Sequence, residues 1–576
     1  MKKCSAGIRT RSEHSVTFQL TTLEPAPIPP EATQYMVRMR DGVRLATDVY
    51  LPVSGEPTQA VLVRLCYDKD GRYCFMGQLA PLVTGRGYAF VVQDVRGKFR
   101  SEGVTFAQVH ESADGYDTID WVVNQPWSDG RVGMFGDSYY GFTQWAAVSS
   151  GHPALKAIVP RVTSANLGMI SGERNGPLGT TVEDVDWLVS ASYLSHYWLD
   201  RLIHDYELDF SVRPLIDVFE RAFEHLGRRS ASFDVAIPQR IAVPVFSHGH
   251  PFDARAVPVL HCVGWFDNLL IAHMRDYVEL MSRPEWAPLQ YLIGDSVDHE
   301  NYHLELAPVD ESNDHALNDQ ALNRMLPKYL GPALDFFDVF LKEIEPVDSL
   351  ARVRWHLGHE DYHESAQWPP PGTSTRRLFL GSLAQAGGAV GGGLFDEATA
   401  VAEEVSWVHD PTNLVPSAVE NSFSFLLTYP DEAATGDRDD VLVFSSQPFE
   451  GPLDLAGAVN LHVRVASSAP TTDVFAKLLD VDVAGEAHMI VRGQAHLKAP
   501  SAEALVRVEM GHTGYRLRTG HRLRLHVASS DFPEYVAHPG TGENAWLARE
   551  AHPSVQTLYS DPASPSYVSV TVRPNH

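Results

Sequence analysis

Ser138 stands in the segment GMFGDSYYG (residues 133–141), where a short apolar run meets a serine flanked by glycines and a helical pattern begins at once. A serine on so sharp a strand-to-helix turn presents its hydroxyl above the strand ends, beside N–H groups that can hold a developing oxyanion. The usual spacing is G-x-S-x-G, whereas here Tyr140 occupies the second glycine's place and Gly141 follows it. Two further residues complete a set. Asp267 ends GWFD (264–267) after one apolar run, and His299 ends GDSVDH (294–299) after the next. Ser, then Asp, then His, each just past a strand pattern, is the chain order of α/β-hydrolases. In that chemistry the histidine takes the serine proton and the carboxylate orients and stabilises the imidazolium.

Other readings compete for the same residues. HENYH (299–303) matches H-E-x-x-H, which binds zinc when a helix presents both histidines on one face. Here the pentad follows a strand pattern directly, and in a chain with 26 histidines such matches arise by chance. His303 remains a reserve for the role of His299. His248 and His250 sit in a Pro-rich loop and read as a turn, and Asp137 reads as an exposed acid at a helix start. No metal and no cofactor is expected.

Composition narrows the classes further. Hydrophobic residues make up 44% and charged residues 21% of 576, a globular balance with room for about three or four domains. Asp plus Glu (73) exceeds Lys plus Arg (46), giving a net charge of -27, which argues against nucleic acid as a partner. Four cysteines without C-x-x-C spacing make neither a disulfide framework nor a thiolate zinc site. No run of about 18 apolar residues predicts a membrane span, and no signal peptide is evident, so a cytoplasmic protein is expected.

The elements that must position these residues alternate. A hairpin (36–39, 43–50) turns at Asp41-Gly42. Strands are predicted over 60–65, 87–93, 132–135, 157–159, 257–263 and 289–293, with helices over 112–124, 139–148 and 269–281. This is the pattern of a parallel, doubly wound sheet. Between them, 185–203 and 215–226 read as aromatic-rich helices of an insertion. Beyond about 350 short strands dominate (441–444, 459–465, 475–479, 523–528, 567–572), suggesting a β-sandwich or jelly roll. The expected divisions are 1–165 and 257–349 for the α/β part, 166–256 for the insertion and 350–576 for the β part.

With these residues in view, the chain resembles the cocaine esterase and α-amino-acid ester hydrolase group, which is related to X-Pro dipeptidyl peptidases. The resemblance rests on VVQDVRG (91–97) with SEG (101–103), DGYD (114–117) through QPW (125–127), GDSYYG (136–141), GWFD (264–267) and SSDFP (529–533). The group's elbow reads G-x-S-Y-x-G, which accounts for Gly141. The resemblance implies an α/β-hydrolase fold with an inserted helical cap and a C-terminal jelly roll. It also implies an oxyanion hole made by the Tyr139 N–H and the Tyr67 hydroxyl, although by itself Tyr67 reads as a strand-end aromatic. Related enzymes carry G-P-W-x-H where this chain has the longer GDSVDH.

The expected function is a serine hydrolase acting on a small-molecule carboxylic ester, with amides behind esters, through an acyl-enzyme on Ser138. The same triad serves X-Pro-type dipeptidyl peptidases, β-lactam acylases and acyltransferases. A metalloprotease and a non-catalytic carbohydrate-binding protein stand as rivals from other classes. Trp187, Tyr193, Tyr197 and Trp198 are candidates to line the pocket, though their spacing also suits a core. Self-association is a further implication of the group.

Overall fold

The computed structural model describes residues 21–167, 182–183, 185–201, 203–205, 208–238, 241, 243–246, 248–388 and 391–574. Strand Thr58–Leu65 shows how the central sheet is built. Ala60 and Leu62 face a layer with Ile119, Val122 and Trp145, whereas Val61, Val63 and Leu65 face one with Leu79, Val83 and Phe337. A strand covered on both faces carries a continuous apolar stretch, as in Ala89–Asp94, which opens Ala-Phe-Val-Val and is buried along its whole length. Ten strands lie in the order 362–365, 353–356, 290–295, 259–264, 155–161, 128–137, 58–65, 89–94, 44–50, 33–38. Pairing is parallel from 89–94 through to 353–356, with antiparallel strands at both edges. Helices Glu111–Val123 and Ser138–Ser150 cover one face; Met76–Gly85 and Asp319–Phe340 cover the other. This is an α/β-hydrolase fold.

Two expectations need correction. Residues 185–203 do not form one helix: Leu188–Ser192 and Leu194–Trp198 are single turns, and Ile203–Asp205 is a strand. Tertiary pairing overrides the helical spacing, because Leu188 N–H donates to Glu534 C=O and Val536 N–H to Asp186 C=O. Helix Asp319–Phe340, 22 residues long, was not anticipated. Pro327 and Pro332 within it disguise the pattern, although the Asn318 side chain caps it by accepting from the Gln320 and Ala321 N–H groups. The insertion does carry helices Ile216–Leu226 and Ala231–Ala236.

The C-terminal part is rich in β-structure, as expected. In Leu453–Ser467, buried Val459, Leu461, Val463 and Val465 alternate with more exposed Asn460, His462 and Arg464, the signature of a strand covered on one face. Its core is continuous with the α/β part: Trp265, Phe266, Leu270 and Met274 join Leu461 and Val463 in one cluster. The aromatics of GWFD therefore fasten the β-rich part beside Asp267. Among the described residues no helix is long and apolar enough to cross a membrane.

Candidate active site

The turn at Ser138 has the strain its sequence implies. Strand Ser128–Asp137 runs directly into helix Ser138–Ser150, and Ser138 itself has φ 51°. A non-glycine residue holds that conformation only where its surroundings over-determine it. They do so through two close approaches. A Cβ on Gly136 would lie 2.0 Å from the Tyr140 ring, and one on Gly141 would lie 2.5 Å from Thr163 Cγ2. The Thr163 hydroxyl in turn donates to the Ser138 carbonyl at 2.6 Å. Glycine is thus required at 141, where the helix crosses Thr163, while position 140 carries the ring that fills the space over Gly136. Gly141→Ala is expected to cost about 1–3 kcal/mol by overpacking. A lowered melting temperature together with slowed turnover would report it; an unchanged melt would refute the account.

Asp267 and His299 leave the ends of the adjacent parallel strands Val259–Gly264 and Gln290–Asp295. His299 Nδ1 and Asp267 Oδ1 are 2.7 Å apart, with both side chains buried. Among the described residues Asp267 Oδ2 has no hydrogen-bond partner, so this carboxylate spends its one bond on the imidazole. Two fastenings fix the loop that carries His299. Buried Asp298 accepts from the Leu426 and Tyr302 N–H groups, each at 2.9 Å, and the Glu300 N–H donates to the Phe423 carbonyl at 3.0 Å. The Phe423 ring then packs 4.7 Å from the imidazole. The β-rich part therefore supplies one wall of the site.

The same loop is tied to the residue before the serine. Asn301 Nδ2 donates to Asp137 Oδ2 at 3.2 Å and Arg161 Nε to Asp137 Oδ1 at 3.0 Å, while Arg161 also donates to Asn301 Oδ1. The Tyr329 hydroxyl, from the unanticipated helix, donates to Asp137 Oδ1 at 2.9 Å. Asp137 is thus buried, not an exposed helix-start acid. Burial raises its pKa, opposed by the Arg161 charge and the bonds from Asn301 and Tyr329. Its neighbours hold the nucleophile turn and the His299 loop together beyond the C-terminal ends of their parallel strands. Sequence reading missed Arg161, Asn301, Tyr329 and Phe423, which carry no motif.

Tyr67 is buried with its hydroxyl 3.0 Å from that of Tyr197. Burial pushes the Tyr67 phenol well above its ordinary pKa, so it stays protonated and able to donate. Tyr139 lies in the first turn of its helix, where N–H groups have no partner within the helix. Its side chain is anchored away from the serine: the hydroxyl donates to Glu111 Oε1 at 2.9 Å and accepts from the Gln108 N–H. Of the pocket candidates, Tyr197 and Tyr193 reach the site. Tyr193 stacks on Tyr197 and meets Phe423 at 5.0 Å. Trp187 packs against Phe423 at 5.3 Å, and Trp198 is core, against Phe233.

The H-E-x-x-H reading fails on geometry. Residues 299–303 form a turn closed by a bridge between Val297 and His303, so no helix face carries both histidines. His299 is engaged by Asp267, while His303 Nε2 lies 3.2 Å from Asp295 Oδ1. His250 caps a short turn at Pro251–Asp253, as a loop histidine would. Cys66, Cys74 and Cys262 are buried free thiols.

The chain is similar to known hydrolases over nearly its whole length. The family model for X-Pro dipeptidyl-peptidase (S15 family) matches residues 41–193, and that for the X-Pro dipeptidyl-peptidase C-terminal non-catalytic domain matches 346–569. A cocaine esterase from Rhodococcus sp. (strain MB1 Bresler) is 28% identical, covering 94% of this chain and 98% of its own. Among solved structures, an aminopeptidase from a marine sediment Thaumarchaeota archaeon superposes with a TM-score of 0.74 at 22% identity, covering 98% of this chain and 99% of the other. An α-amino-acid ester hydrolase superposes with a TM-score of 0.73 at 22% identity, covering 98% of each chain.

Proposed function

We propose that this chain, 28% identical to a cocaine esterase over 94% of its length, hydrolyses a carboxylic ester through an acyl-enzyme on Ser138. The observation that carries the reading is the 2.7 Å contact between His299 Nδ1 and Asp267 Oδ1 beyond the same strand ends where Ser138 holds its strained turn. A carboxylate on Nδ1 keeps the proton there and leaves Nε2 as the base.

In the acylation step Nε2 of His299 takes the Ser138 proton as Oγ attacks the ester carbonyl. The tetrahedral oxyanion accepts from the Tyr139 N–H and the Tyr67 O–H. His299 then gives its proton to the leaving alcohol, and the C–O bond breaks. Water, deprotonated by the same imidazole, repeats the attack on the acyl-enzyme and releases the acid. The Tyr197 hydroxyl lies 3.0 Å from that of Tyr67, so the cap contributes to the geometry of this oxyanion donor. Ester is preferred to amide because the relative matched over 94% of the chain is named an esterase.

A p-nitrophenyl ester assayed at high enzyme concentration is expected to give a burst of about one equivalent of p-nitrophenol when deacylation is slower than acylation. Tyr67→Phe removes one oxyanion donor and should lower kcat by about 10²–10³-fold. A Tyr67→Phe enzyme with wild-type kcat would remove Tyr67 from the oxyanion hole. Turnover of a chromogenic X-Pro amide at a rate matching the ester would move the assignment to a peptidase.

A further inference from the structure

The second histidine of HENYH does not serve the hydrolytic chemistry, and its surroundings give it another use. Asp295 ends strand Gln290–Asp295, and His356 ends the neighbouring strand Val353–His356. His303 comes back to the same edge from the far end of the loop that carries His299. One ligand atom from each of Asp295, His303 and His356 lies within 4.8 Å of the others. The Asp295 and His303 pair is already at 3.2 Å, and the two imidazole rings are 4.9 Å apart at 68°.

We propose that Asp295, His303 and His356 form a binding site for a divalent first-row transition ion of the Zn²⁺ class, clamping the two ends of the His299 loop. Two imidazoles and one carboxylate are the donors such ions take, whereas Ca²⁺ and Mg²⁺ require oxygen throughout. With metal–ligand bonds near 2.1 Å, donors in a tetrahedral set stand about 3.4 Å apart. Asp295 and His303 meet that spacing, and His356 needs a shift of about 1.5 Å or less to meet it from within 4.8 Å. Water fills the fourth position. Both His303 and Asp295 are partly exposed, so an ion can enter from solvent.

Outer partners are in place. Ser296 Oγ lies 2.8 Å from His356 Nδ1, and the Tyr362 hydroxyl donates to the Asp295 carboxylate at 2.8 Å. Partners of this kind orient ligands and set their basicity. The Glu305 N–H donates to His303 Nδ1 at 3.2 Å, which puts the ring proton on Nε2 when no ion is bound. Binding at Nε2 moves that proton to Nδ1 and gives up the Glu305 bond, without net change in charge on the ring. The ion replaces the Asp295–His303 hydrogen bond with two coordinate bonds and joins them to the next strand through His356. Ends 295 and 303 are then held together independently of the contacts at Asp298.

The site stands apart from the esterase reading, and its test needs no substrate. The full chain, stripped with a chelator and dialysed, is titrated calorimetrically with Zn²⁺ alone, then with Ca²⁺. Wild-type protein is expected to bind one Zn²⁺ saturably, to bind Ca²⁺ at least tenfold more weakly, and to melt at a higher temperature with Zn²⁺. His303→Ala and His356→Ala should each weaken Zn²⁺ binding at least tenfold with an unchanged circular dichroism spectrum. Should either fail to fold, His303→Gln and His356→Gln take its place. Co²⁺ should give visible ligand-field bands in the wild type that both variants lose. Absence of a saturable Zn²⁺ equivalent, or one that persists unchanged in both variants, overturns the proposal.

Discussion

Ser138→Ala is expected to lower ester turnover by roughly 10⁴–10⁶-fold and leave the fold intact. The substitution removes only the hydroxyl. The turn itself is held by the Thr163 bond to the Ser138 carbonyl and by the space that Gly136 and Gly141 leave. Alanine meets the same steric cost at φ 51° as serine, so the melting temperature should move little. Residual rate over water would come from oxyanion donors and binding, which survive the loss of a nucleophile. Progress curves with a p-nitrophenyl ester check the loss, and near-wild-type turnover would remove Ser138 from the nucleophile role.

Asp267→Asn should be nearly as damaging, with a loss in kcat of about 10⁴-fold. The cause is tautomeric. An asparagine that offers its N–H₂ to Nδ1 stabilises the imidazole with its proton on Nε2, where it cannot accept from the serine. The change is isosteric and replaces a carboxylate with one partner at 2.7 Å and one oxygen unpaired among the described residues, so unfolding is not expected. A melt within a few degrees of wild type, together with the lost rate, separates orientation of His299 from support of the fold. Retained activity in this variant would mean that His299 works without its carboxylate.

The catalytic candidates were readable because each follows a strand at the same sheet end, and chain order is preserved in sequence. Gly141 looked like a departure from the general elbow spacing, yet the crossing of Thr163 makes it the required place. The fastenings were not readable. Asn301 and Arg161 reach Asp137 across 164 and 24 residues, and no period or motif announces such bonds. Phe423 is one aromatic among 25 phenylalanines, and only folding sets it against His299. Helix Asp319–Phe340 was hidden by its two prolines, and with it the contact from Tyr329 to Asp137. Residues 185–203 erred the other way. Helical spacing of aromatics was real, but pairing with residues 534–536 divided the segment and left Tyr197 with its hydroxyl against that of Tyr67. Motifs thus located the reacting groups, while long-range packing chose the groups that position them.

Ser138 is the residue on which the acyl group is expected to rest. Incubation with a fluorophosphonate, followed by proteolysis and peptide mass spectrometry, tests it most directly. One phosphonyl per chain on the peptide containing Ser138, with matching loss of ester turnover, is the result expected. An inactivated enzyme whose adduct maps to another residue, or full activity in a chain labelled at Ser138, would contradict it.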